Sequence, residues 1–365
     1  MLYRVIGLMS GSSLDGMDLA FVELEEKGGK WEYRIMDAEC FSYNENWTGK
    51  LLNASSLSAS EFVKLHADFG HLTGEMVNRF ISEKKLEYKV ALIASHGHTV
   101  FHVPGSHTVQ IGDGAAIAAE TSLPVVSDLR SLDVALGGQG APIVPMGEKL
   151  LFPSYRFFLN IGGIANISYK GDSSYDAFDV CPANRVLNML ASHKGFAFDK
   201  GGLLASSGRI NEVVLGKLNE LAYYKKAFPK SLANEFGTDN VYPILRDADL
   251  SDTDRLATCV EHIAVQLASS VENIHSIRQP ESRNEKMLIT GGGALNNYMV
   301  ERISQHLAPF GIEVVIPDEQ TVLYKEALVM ALLGVLRWRE EDTILQSVTG
   351  ATRASIGGAL WMGTN

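Results

Sequence analysis

The chain repeats one local pattern at two distant places. Residues 3–9 are mostly apolar and read as a buried strand; Ser10, Gly11, Ser12 and Ser13 make a turn, and a second strand covers 17–24. Residues 156–160 read as another strand, Gly162 and Gly163 make its turn, and a further strand covers 165–169. Gly162 stands 151 positions after Gly11. A glycine turn at a strand end lets the main chain approach a charged or flat ligand with no Cβ in the way. Two such units, each followed by mixed strands and helices, predict two related α/β lobes with the turns lining a cleft between them. The 365 residues also exceed what one core usually holds. The lobes are expected over 1–150 and 151–365, with the C-terminal helix free to pack back on the first.

The remaining elements follow from periodicity. A third strand is expected over 32–41. Phe62, Leu65, Phe69, Leu72, Met76 and Phe80 recur at steps of three and four, which predicts a helix over 60–84 capped by Ser58 or Ser60. Residues 90–95 read as a strand that ends in His96-Gly97-His98. Helices are expected over 183–194, 212–222, 253–277, 295–308 and 325–339, and strands over 286–290 and 312–316.

Composition removes several classes. A net charge of −11 disfavours nucleic acid and anionic membranes as partners. Cys40, Cys181 and Cys259 show no CxxC spacing, so a disulfide framework is not expected and a reducing, cytoplasmic setting is. The start carries no basic segment followed by an apolar one, so no leader is read there. The apolar run 327–336, broken by Gly334, is half the ~20 residues needed to span a bilayer and reads as a buried helix face.

Five segments carry candidate chemistry. Gly11, Ser12, Ser13, Leu14, Asp15, Gly16, Met17 and Asp18 combine amide and hydroxyl donors for a triphosphate with two carboxylates, Asp15 and Asp18, for Mg²⁺; an ordinary hairpin turn is the plain alternative. The run from Asn160 to Asn166, with Gly162 and Gly163, repeats that logic. Gly291, Gly292 and Gly293, followed by Asn296, place bare backbone at a strand-to-helix junction, for phosphate or adenine, or for close packing. GxxxxGK[ST] is absent, as is GxGxxG opening a helix, which sets aside P-loop and dinucleotide-binding folds. Asp179 is read at a strand end with Pro182 opening a helix; it is placed to accept a proton in the cleft or to steady the helix dipole. Asp128 and Arg130 precede Gly137-Gly138-Gln139-Gly140; Arg130 can grip a substrate carboxylate or pair with Asp128. His96 and His98 suit substrate hydrogen bonds better than a metal, because no third ligand is marked.

In order, these segments resemble the anhydro-N-acetylmuramic acid kinases. The resemblance rests on residues 9–18, 95–102, 110–114, 137–142, 160–166, 198–202, 229–231, 291–294, 326–327 and 347–351. It implies an α/β fold of the two-lobed actin-like ATPase class, with duplicated ribonuclease H-like lobes and an interlobe nucleotide cleft. It implies ATP and Mg²⁺ as cofactors, an amino sugar as substrate, and a homodimer. The implied reaction adds water across the 1,6-anhydro bond of anhydro-N-acetylmuramic acid and moves the ATP γ-phosphoryl to O6, in peptidoglycan recycling. By motif position Asp179 is the general base. The turn from Gly11 to Asp18 holds phosphates and Mg²⁺. Gly162, Gly163, Asn166, Gly291, Gly292, Gly293 and Asn296 meet phosphates and adenosine. His96, His98, Asp128, Arg130, Asn184 and Glu326 meet the sugar. The chain departs from the common pattern at Val180, Cys181 and Ala183 and at 232–234, where a Thr-Gly-Arg run is replaced by Leu232-Ala233-Asn234. Other classes share the turns: an actin-like ATPase acting on a protein partner, and a nucleotide-binding protein of low activity or for another sugar.

Overall fold

A computed structural model describes residues 1–11, 14–172, 174–228, 230–233, 235–279 and 284–363. Ser12 and Ser13 of the first turn, and Pro229 and Asn234, lie outside them. Among the described residues the strands are β1 (Leu2–Ser10), β2 (Gly16–Lys27), β3 (Lys30–Ser42), β4 (Leu92–Val103), β5 (His107–Ile111), β6 (Val125–Ser127), β7 (Phe157–Ile161), β8 (Ile164–Lys170), β9 (Tyr175–Pro182), β10 (Glu285–Thr290), β11 (Ile312–Val315) and β12 (Ala359–Trp361). The chain divides into two compact units. The first comprises Met1–Pro153 and Tyr324–Asn365, and the second is Ser154–Leu323. The second boundary falls inside the helix Glu319–Trp338, at Tyr324, whose backbone (φ −116°, ψ 17°) is not helical. The sequence reading kept 151–365 as one lobe while letting its last helix pack back; the structure gives all of 324–365 to the first unit.

The first unit is built on a sheet ordered β12-β6-β4-β1-β2-β3, with β5 paired to β4; the second has β11-β10-β7-β8-β9. From the centre outward the two agree in sense. β1, β2 and β3 pair antiparallel, and so do β7, β8 and β9. β1 pairs parallel with β4 and β4 with β6, as β7 does with β10 and β10 with β11. Strand order and sense therefore recur, which makes this a duplicated two-lobed α/β fold.

Each unit has its own core. In the first, Ile6, Leu8, Leu19 and Ile93 meet Phe69, Val77 and Phe80 of the helix Ala59–Lys84. Ser58 caps that helix, accepting from the Glu61 N–H while the Glu61 carboxylate accepts from the Ser58 N–H, the reciprocal arrangement that satisfies two orphan amides. Ala327 to Leu333 of the last long helix are buried, as its apolar run predicts. That helix lies directly on the sheet. A Cβ at Gly7 would sit 1.9 Å from the Ala327 carbonyl oxygen, so only glycine fits there. In the second unit, Phe157, Leu159 and Ile289 pack on Val260, Ile263 and Leu267 of the helix Asp252–Arg278. Among the described residues no helix is long and apolar enough to cross a membrane.

His96-Gly97-His98 lies inside β4, not at its end, because β5 pairs with the strand's second half. Asp179 is in mid-strand, and Pro182 closes β9 instead of opening a helix; the next helix, Asn184–Ser192, begins after Ala183. β9 is the outer strand of its sheet, where a proline costs no ladder bond that a neighbour would need. Gly291–Gly293 does not pass straight into a helix: a 3₁₀ turn, Gly292–Leu295, intervenes before the helix Asn297–Leu307.

Candidate active site

In the first unit the β1–β2 hairpin brings Asp18 to face Cys40 of β3 across the ladder. Burial pushes the Asp18 carboxyl up to about 6, against the Cys40 thiol that donates to it; Asp15 and Glu326 add like charge. The Cys40 thiol, though its residue is partly open to solvent, is pushed up to about 12 by desolvation of the sulfur and by Asp18 and Asp15, so it stays a neutral donor. Asp18 and Asp15 are two carboxylates of like charge, oxygen donors of the kind a divalent cation takes, with water or phosphate left to supply its other ligands. Met17 is a core side chain, 1% exposed, so only its backbone faces any ligand. Gly16 has a packing reason, since a Cβ there would lie 2.6 Å from the Phe41 carbonyl. Leu14 turns the chain at φ 60°.

Beside the hairpin a buried polar chain begins at Tyr43. Its hydroxyl donates to Ser10 Oγ at 2.7 Å, and Ser10 Oγ is 3.0 Å from His98 Nδ1. With the tyrosine as donor, the serine proton goes to His98, whose own charge is disfavoured by burial. His96 Nδ1 donates to the Gly97 carbonyl at 2.9 Å, and its Nε2 accepts from Arg130 Nε at 2.8 Å. Burial and that guanidinium push His96 down to about 3, so it is a neutral ring of fixed tautomer. Arg130 also donates through Nη1 to the Gly140 carbonyl at 2.8 Å. Burial lowers it to about 10, with Glu326 pulling the other way. Glu326 is raised by burial, and Lys325 and Arg130 oppose this; among the described residues no donor bonds its carboxylate. Asp128 does not pair with Arg130. It sits exposed at φ 53° and accepts from the Ser131 N–H and hydroxyl at 3.3 and 2.5 Å. Among the described residues no three His, Cys, Asp or Glu side chains gather as a metal site, and His96 and His98 have separate partners.

In the second unit the β7–β8 and β10 turns lie side by side, because Thr290 pairs with Asn160. The Gly163 and Gly162 carbonyls accept from the Ala183 and Asn184 amides at 2.8 and 3.1 Å, and Asn184 Nδ2 donates to the Ile161 carbonyl at 3.0 Å. So Asn184 braces the turn. The glycines there divide into two kinds. Gly291 needs its φ of 80°, and a Cβ at Gly293 would lie 2.3 Å from Ile161 Cγ2. A Cβ at Gly162, Gly163 or Gly292 would meet nothing nearer than 3.7, 3.8 and 3.8 Å. Packing does not ask for glycine at those three positions, so the open space beside them is what their missing side chains serve. Asn296 gives its Oδ1 to the Met299 N–H at 3.0 Å as a helix cap.

Asp179 pairs with Asn166 across β8 and β9. Three bonds fix it to the segment after the helix Glu212–Asn219. Its N–H donates to the Lys230 carbonyl at 3.1 Å, its carbonyl accepts from the Tyr223 hydroxyl at 2.6 Å, and its Oδ2 accepts from the Leu232 N–H at 2.8 Å. Burial raises its pKa, and the Leu232 amide offsets part of that. Oδ1 accepts from no donor among the described residues. Tyr223 and Tyr43 are not marked in the sequence, and Ser10, Cys40 and Leu232 stand out there only as a turn residue, a cysteine without CxxC spacing and a departure from the family pattern. Each acts through a hydroxyl, a thiol or a main-chain amide, groups with no motif of their own.

Duplicated sheets with glycine turns at matching strand ends define a two-lobed α/β fold class. The family model for anhydro-N-acetylmuramic acid kinase matches residues 3–363. The anhydro-N-acetylmuramic acid kinase of Photobacterium profundum is 32% identical over 372 residues, covering 98% of each chain. That of Gloeobacter violaceus is 34% identical over 370 residues, covering 96% of each. A solved structure of the activator of the 2-hydroxyisocaproyl-CoA dehydratase from Clostridium difficile with bound ADPNP superimposes with a TM-score of 0.49 at 16% identity, covering 92% of this chain and 96% of that one. The chain belongs to the anhydro-N-acetylmuramic acid kinase family.

Proposed function

We propose that the protein phosphorylates 1,6-anhydro-N-acetylmuramic acid from ATP while water opens the anhydro bond, giving N-acetylmuramic acid 6-phosphate and ADP. Such a reaction returns a sugar of peptidoglycan turnover to metabolism in the cytoplasm. The observation that carries the reading is Asp179: a half-buried carboxylate with one oxygen held by a backbone amide and the other unclaimed among the described residues. Oδ1 takes the proton of the water that attacks C1, and the Leu232 N–H keeps the carboxylate from turning away. Arg130, His98, Asp128 and Glu326 hold the sugar; His96, with both ring nitrogens taken, acts through Arg130, and Asn184 acts through the Gly162-Gly163 turn that it braces. The amides of Gly162, Gly163 and Gly292 approach phosphate and nucleotide. Asp15 and Asp18 hold Mg²⁺, which when bound neutralises phosphate charge.

The test is to incubate the protein with Mg-ATP, with and without the anhydro sugar, following ADP and sugar mass together. The expected product is heavier than the sugar by one water and one phosphoryl group. Asp179→Asn is expected to abolish it with ATP binding intact. Because burial raises Asp179, the acid limb of kcat/KM should fall at a pH above the ordinary carboxylate range. ADP release equal with and without sugar would refute the reading in favour of an ATPase.

A further inference from the structure

Asp133 is a buried carboxylate that the proposed chemistry does not use. It is 1% exposed, in the short helix Ser131–Ala135 of the first unit. Its Oδ2 accepts from the Gly140 N–H at 2.7 Å, and its Oδ1 accepts from the Thr349 hydroxyl at 2.7 Å. Its own carbonyl accepts from the Gly138 N–H at 2.9 Å, and the Gln139 N–H donates to the Thr349 carbonyl at 2.9 Å. Among the described residues no cation is paired with it. A buried charge held by neutral donors alone is costly, and an apolar side chain would be the cheaper filling.

The cost is matched by what the carboxylate arranges. A Cβ at Gly138 would lie 2.3 Å from Asp133 Oδ2, and Gly140 turns at φ 70°. The glycine spacing of residues 137–140 is therefore moulded on Asp133. Gly140 is gripped from both sides, its N–H by Asp133 and its carbonyl by Arg130 Nη1. Arg130 in turn holds the His96 ring through Nε. Two of its three guanidinium nitrogens are thus committed to the protein, and Nη2 donates to no described residue. The Thr349 turn, which had no place in the chemistry, closes the same brace.

We propose that Asp133 is a positioning residue for the sugar: with Thr349 it clamps the 137–142 loop, so that Gly140 fixes Arg130 with Nη2 directed to the substrate. This rests on the kinase reading in which Arg130 grips the sugar. A carboxylate accepts from both the Gly140 N–H and the Thr349 hydroxyl; an asparagine keeps the first bond but meets the hydroxyl only by reversing the second, and it loses the charge that strengthens both.

The test compares the full chain with Asp133→Asn, Thr349→Val and Thr349→Ser, measuring KM for sugar and for ATP, kcat, the melting temperature, and the ¹⁵N resonances of His96 assigned with His96→Gln. Asp133→Asn should raise the sugar KM roughly 10- to 100-fold and leave the ATP KM within about twofold. The His96 Nε2 resonance should move as its Arg130 bond loosens. Thr349→Val should follow in part and Thr349→Ser should behave as the parent. In an Arg130→Met background, Asp133→Asn should add nothing to the sugar KM. A folded Asp133→Asn variant with unchanged sugar KM and unchanged His96 resonance overturns the proposal, as do additive effects with Arg130→Met. If Asp133→Asn does not fold, Thr349→Val decides by the same readings. If the parent protein shows no sugar-dependent ADP, the kinase reading fails, and the His96 resonance alone decides whether Asp133 sets Arg130.

Discussion

Alanine at Gly163 would place its Cβ 3.8 Å from the Arg185 Cβ, an ordinary van der Waals contact, while alanine at Gly293 would drive into Ile161 Cγ2 at 2.3 Å. The two substitutions should therefore part company. Gly163→Ala is expected to hold or gain up to about 1 kcal/mol of stability through the unfolded chain and to lose ATP affinity, read by calorimetry and a binding titration. Gly293→Ala should lose about 1–3 kcal/mol by overpacking. His262 gives a pH-dependent counterpart. It is fully buried, bonded to Asn219 Oδ1 at 2.7 Å and to the Tyr224 hydroxyl at 2.8 Å, and burial pushes it down to about 3. Between about 3 and 6.5 the unfolded chain binds the proton that the folded ring refuses, so this contribution is complete above 6.5 and lost on acidification. His262→Gln should be less stable than the parent at pH 7.5. The gap should narrow by about 1.4 kcal/mol per unit below 6.5 in denaturant titrations.

Long periodic elements were legible in the sequence and short ones were not. The helix expected over 60–84 is Ala59–Lys84, because its apolar positions and its Ser58 cap are both local signals. β5, β6 and the helices Gly114–Thr121 and Val144–Leu151 carry no such period; they are placed by what they pack against. The same limit governs the site. Asp18 faces Cys40 only because a bulge between Phe21 and Val22 shifts the β2–β3 register by one. Read from the Gly28-Gly29 turn without the bulge, Glu39 would stand opposite Asp18 and place like charges together. Pro182 misled for a related reason: a proline reads equally as the first residue of a helix and as the last of an outer strand, and the sheet order decides. The glycine turns were found because their requirement is local; Asp133 was not, because its partner Thr349 is far along the chain.

The second unit is one continuous stretch with a closed core from Phe157 to Val322, whereas the first is assembled from both ends of the chain. Expressed alone, residues 154–323 should unfold cooperatively in denaturant. Residues 1–153 should not, because the helix whose Ala327, Leu328 and Ala331 are fully buried would be missing from their sheet. This split also orders events at the ribosome. Strands β1 to β6 leave the exit tunnel first, yet the helix that lies against Gly7 is made only after the whole second unit. At usual translation speeds that is a wait of roughly 10 to 30 seconds. During it the middle of the nascent chain can finish while the beginning keeps an uncovered apolar sheet face, a site for chaperone capture. The residues synthesised first are thus the last to be completed.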